Sequence, residues 1–190
     1  MWLFREGSGR ICLDYVRTLR HRGAPAEVEE LSDPATLTAW VTQFGPWDRM
    51  AATPDIRAVE SARTLREAIF RVVELARTTK GAVRPSDRDR AVINKAASRH
   101  VPIPSLDEHG ELRWAAPDPI AAVLATVARD ALDLVTSPTA ALIRRCAGES
   151  CQAYFVDLSR PGNRRWCSMD TCGNRAKKRN LRAREMHTPT

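Results

Sequence analysis

Four of the five cysteines fall into two pairs near the C-terminus, Cys146-x4-Cys151 and Cys167-x4-Cys172, with fifteen residues between the pairs. Two close pairs across a hairpin-sized insert suit a tetrahedral cation: each pair grips the ion from a tight loop, and the insert brings the loops together. Thiolates at about 2.3 Å fill the shell of Zn²⁺ and leave no position for water or substrate, so one structural zinc is predicted. A segment of about fifty residues buries too little surface to fold alone, and metal binding supplies the missing free energy. A four-residue spacing differs from the two-residue spacing of redox pairs. An iron–sulfur cluster is the chemically admissible alternative, and zinc fits two short pairs around a hairpin better. Cys12 stands alone and is expected in the core.

The charge lies in the same place. Lys+Arg number 30 and Asp+Glu 23, a net of +7, with a pI near 9.6. Residues 141–190 hold eleven of the basic groups and four of the acids, so the whole excess sits there and residues 1–140 are neutral. Four thiolates around Zn²⁺ would lower the folded module to about +5. After Cys172 the chain reads as a helix, with the last ligand in its first turn and Asn174 as a starting cap. Arg175, Lys178, Arg179 and Arg182 recur at i, i+3, i+4, i+7 and make one basic face. That surface points to nucleic acid: the helix face to a groove of duplex DNA, and Arg160, Arg164 and Arg165 to phosphates. RNA is the alternative partner. In the insert, Ala153, Phe155 and Asp157 alternate with Tyr154 and Val156 as in a half-buried strand, and Pro161-Gly-Asn163 marks a turn. Trp166 is expected to pack over the site with Phe155; stacking on a base is its alternative role.

Upstream, the chain reads mainly as helices. Ser32-Asp33-Pro34 opens one with Leu37, Trp40, Val41 and Phe44 on a stripe, and Gly45-Pro46 stops it. Thr53-Pro54 opens a longer one carrying Leu65, Ile69, Val72, Val73 and Ala76 as far as Gly81. Ser86 with Asp89 resembles a capping box for a helix to about Arg99. Val101–Leu106 and Glu111–Ala115 flank Asp107–Gly110 as a β-hairpin. Asp118-Pro119 starts a further helix with Ile120, Val123, Leu124, Val127, Ala131 and Leu134 inward. Glu6–Gly9 is expected to turn a short strand into a helix carrying Cys12–Leu19.

The fold class is therefore mainly α with small β-hairpins: a helical N-terminal domain over 1–140, then a treble-clef-like four-cysteine zinc module over 141–190, with the boundary near Ser137-Pro138. The longest largely apolar run, Ile120–Ala128, is nine residues, against roughly 20 needed to span a bilayer. Arg5-Glu6 interrupts the N-terminus before any leader-like apolar stretch forms. A cytoplasmic location and no membrane partner are expected. No enzyme is expected either: Gly7-Ser-Gly9 lacks the rest of a phosphate loop, and no motif links Cys12 to His21 or His100 as nucleophile and base.

Cys146-x4-Cys151, Ala153–Arg160, Arg164–Met169 and Cys172-Gly-Asn-Arg175 resemble the CGNR zinc-finger family of bacterial proteins. Leu13-Asp-Tyr-Val-Arg-Thr-Leu19 and Leu65–Ile69 resemble the ABATE domain that usually precedes this finger. Arg17 departs from the family's Leu-Asp-Phe-x-Asn-Thr pattern, which has Asn there. The resemblance implies a stress-induced transcriptional regulator whose four cysteines hold zinc and whose finger contacts DNA. The helical domain would sense a small molecule of unknown identity or form a homodimer.

Overall fold

The computed structural model of the chain describes residues 4–47, 53–80 and 83–185. Four of its helices begin on an oxygen-bearing side chain that accepts an otherwise unpaired backbone N–H. Asp33 caps α2 (Pro34–Phe44), Asp55 caps α3 (Ile56–Thr79), Ser86 caps α4 (Asp87–Ala97) and Asp118 caps α5 (Pro119–Thr136). Their apolar stripes meet in one core, where Trp40, Leu37, Ile69, Val73 and Leu134 are fully shielded. The short α1 (Ile11–Val16) lies in the same core. Asp130 of α5 ties it down, accepting from the Cys12 N–H at 3.0 Å and from Arg10 Nε at 2.8 Å.

Among the described residues there are three two-stranded antiparallel ribbons: β1 (Leu19–Arg20) with β2 (Val28–Glu29), β3 (Ile103–Leu106) with β4 (Leu112–Ala115), and β5 (Ile143–Arg145) with β6 (Tyr154–Val156). The β3–β4 hairpin is the expected one. Asp107 accepts the His109 and Glu111 N–H groups, and Gly110 supplies positive φ.

Several boundaries differ from the sequence reading. The α1 helix stops at Val16, where the Thr18 hydroxyl takes the Tyr15 carbonyl and Leu19 pairs with Glu29 instead of continuing the helix. No strand forms over Phe4–Gly7. The α3 helix starts at Ile56, because Asp55 rather than Thr53 is the cap, and ends on Lys80 in the left-handed region; Gly81 lies outside the described residues. The α4 helix ends at Ala97 rather than Arg99. Strand β6 is buried on both faces, not one. Tyr154 and Val156 join the helical core, together with Ile143, while Ala153 and Phe155 pack with the cysteines.

Candidate metal centre and basic surface

The four C-terminal cysteines converge, with their sulfurs all within 4.8 Å of one another. Cys146 leaves β5, and its N–H donates to the Ala153 carbonyl at 2.8 Å, which brings the first loop against the start of β6. Gly148 allows that loop to close tightly: a Cβ there would stand 3.1 Å from Cys151 Cβ and 3.5 Å from Cys172 Sγ. Cys167 follows Trp166, and Cys172 sits in a single wide turn, Met169–Gly173, leading into α6 (Asn174–Glu185). Ser168 caps that turn by accepting the Thr171 N–H. Asn174 is therefore not the cap; its side chain reaches back to the Asp170 carbonyl at 3.3 Å.

The donor set fits zinc. Cys151 and Cys167 sulfurs are 3.5 Å apart, and Cys167 and Cys172 sulfurs 3.7 Å; a tetrahedron with Zn–S near 2.3 Å requires about 3.8 Å. The N–H groups of Gly148 and Cys167 both point at Cys146 Sγ from 3.4 Å and would stabilise a metal-bound thiolate. Hydrogen bonds from Cys146 and Cys167 pull the Cys151 thiol well below its ordinary pKa. Cys151 is also the only half-buried ligand of the four.

Arg164 is turned inward. Its guanidinium stacks on Phe155 at 4.6 Å and donates to the carbonyls of Trp166, Cys167 and Gly7. Asp157 fixes the start of this turn by accepting the Ser159 and Arg164 N–H groups. Trp166 is half-buried against the cysteine cluster, with Arg165 over its ring at 5.1 Å. Arg160, Arg165, Arg175, Lys178, Arg179 and Arg182 are exposed. Arg179 meets Glu149 at 2.7 Å in an exposed pair of the kind that contributes little to stability.

Residues far upstream also reach this region. Arg17, from the end of α1, places a guanidinium nitrogen 3.8 Å from Cys167 Sγ. His21 bonds the Ser150 carbonyl through Nδ1. Together with Arg5, Arg20 and Arg175, they line a narrow cleft whose wall includes Cys151 and Cys172. No spacing rule links positions 17 and 167, and the sequence flagged Arg17 only as a departure from a family pattern. Cys12 is fully buried, and burial raises its thiol pKa well above the ordinary value, with the Asp130 carboxylate adding to the rise.

A family model described as ABATE, a putative stress-induced transcription regulator, matches residues 9–138, and a CGNR zinc-finger model matches residues 143–185. Neither is an enzyme family. No curated protein matches the chain. The cysteine geometry and the second match agree on one structural zinc ion. Among the described residues, no helix is long and apolar enough to cross a membrane.

Proposed function

Because this chain belongs to the ABATE family and carries a CGNR zinc finger after that domain, we propose that it is a zinc-dependent, DNA-binding regulator of transcription. The observation that carries the reading is α6. Over residues 174–182 only Ala176 is buried, so Arg175, Lys178 and Arg182 stand exposed, with Arg179 in an exposed pair with Glu149, on a helix fixed at its start by Cys172. Phosphates attract such a surface by counterion release, and arginine can fork onto a guanine edge in the major groove. Arg160 and Arg165 would hold the flanking backbone; Arg164 is spent on internal carbonyls and is left out of the contact set. The helical unit would supply the input, a ligand or a second copy, in a cytoplasmic, stress-responsive protein.

Titration of the full-length, zinc-loaded chain with random duplex DNA tests this. Affinity should fall with salt at a log–log slope of about −0.9 per phosphate contact. Replacing Arg175 and Arg179 together with glutamine should remove most of the binding at unchanged zinc content. Affinity that stays flat with salt overturns the reading. Preference for structured RNA in direct competition replaces duplex DNA as the target.

A further inference from the structure

Arg17 is a buried cation in the helical unit, with its side chain 7% exposed. One terminal nitrogen donates to the Glu6 carbonyl and the Ser8 hydroxyl, both at 3.2 Å, and the other faces Cys167 Sγ. Its nearest carboxylate, Asp14, is 3.6 Å away and is engaged by the Ser8 N–H. Burial raises the Asp14 pKa, so this carboxylate is a reluctant counterion. The loop that cradles the guanidinium also holds the zinc module: the Ser8 carbonyl accepts the Val156 N–H at 2.9 Å, and the Gly7 carbonyl accepts from Arg164 at 3.3 Å. Gly9, at φ +87°, brings its backbone against Val156.

A zinc ion with four thiolates carries a formal charge of −2. A buried charge left unpaired is costly, and one offset by an opposite charge and satisfied donors is not. We propose that Arg17 is an outer-sphere partner of the zinc centre, and that through it metal occupancy controls docking of the finger on the helical unit. With zinc bound, the guanidinium offsets half of the cluster's formal charge across the seam. With zinc gone, nothing holds the four sulfurs together beside the guanidinium, and Arg17 is left with Asp14 at 3.6 Å and the Glu6 and Ser8 oxygens, while Arg5, Arg20 and Arg175 still line the same cleft. Docking then weakens, and the loop Glu6–Gly9 loosens with it. Metal loading thus reaches beyond the fifty-residue module to the domain that carries no ligand.

Three measurements on the full-length protein decide this. Transfer of zinc to a chromogenic chelator should be at least tenfold faster in Arg17→Met, the scale on which outer-shell partners change metal affinity. Arg20→Gln, in the same cleft but paired with Glu30, should leave the rate unchanged. Equal rates for wild type and a folded Arg17→Met overturn the proposal. In cadmium-113-substituted protein, Arg17→Lys keeps the charge but loses the planar fork, and should shift the metal resonance while α3 amide signals stay in place. An unmoved resonance overturns the contact. Finally, stripping zinc from the wild type should speed amide hydrogen exchange over residues 6–18 as well as in the module. Exchange confined to the module would show that occupancy does not cross the seam, even if Arg17→Met fails to fold.

Discussion

The helical unit closes over large apolar side chains, among them Trp40, Tyr15, Ile69 and Leu134, all fully shielded. In the zinc module, by contrast, three of the five buried members of the local cluster are metal ligands, and Phe155 is the one large side chain among them. Apolar burial holds the first region; in the second the ion replaces a core that so short a segment cannot build. The two are joined through β6, whose alternate residues feed both clusters. The contrast is what the proposed function would draw on: a region held by a metal can leave a whole helix exposed to carry charge.

The largest effect should come from removing the metal. Structural zinc contributes on the order of 10–16 kcal/mol in isolated fingers, so chelation or Cys172→Ser should unfold residues 145–185. Limited proteolysis should then cut within that segment while the helices α2 to α5 resist. A coordinated collapse of both regions at the same chelator concentration would break the comparison. Next comes Ile69→Ala, which opens a cavity in the helical core and should cost about 2–5 kcal/mol in denaturant unfolding. Zinc stoichiometry should stay at one per chain; loss of zinc in that variant would mean the module borrows its stability from the helical core.

The same contrast explains what the sequence could reveal. Helices α2, α4 and α5 were legible because their signals are local: each opens on a capping side chain, α2 and α5 add a stripe at 3.6-residue period, and Gly45-Pro46 stops α2. The four ligands were legible because metal coordination demands a particular residue type at close spacing. Strands β1, β2 and β5 were not, since two- or three-residue strands are set by tertiary partners. Arg66, 2% exposed, holds β2 over α3 with two 2.6 Å bonds to Glu29, and nothing in the run around Glu29 announces it. Phe155 and Tyr154 alternate as a half-buried strand should, but both faces are covered, with Tyr154 and Val156 against the helical core. Arg17 and Cys167 are 150 positions apart, a separation at which composition and period carry no information.

The smallest effect sharpens where the two regions meet. Tyr154 stacks near Phe70 at 5.7 Å and donates to Glu74 at 2.7 Å. Burial, and then this hydrogen bond, push the phenol up to about 12, against about 10 in an unfolded chain. A group whose pKa is raised by folding contributes stability that is complete below its unfolded value, so this contribution should fade as pH rises from about 10 toward 12. Glu74 is shifted the opposite way, below the ordinary carboxylate range, first by Arg77 and then by Tyr154. Its contribution is present above about pH 4.3 and fades as pH falls through its lowered value. The seam is therefore firmest between the two windows. Tyr15, the other tyrosine, is fully buried and shifted higher still. Ultraviolet titration should accordingly show one phenol ionising near 12 before the helical core opens, a step that Tyr154→Phe removes and Tyr15→Phe leaves. The Tyr154→Phe change should cost about 1 kcal/mol at neutral pH. If both phenols ionise in a single cooperative step, the seam and the core open together, and the zinc module is an extension of the helical core rather than a metal-held unit docked against it.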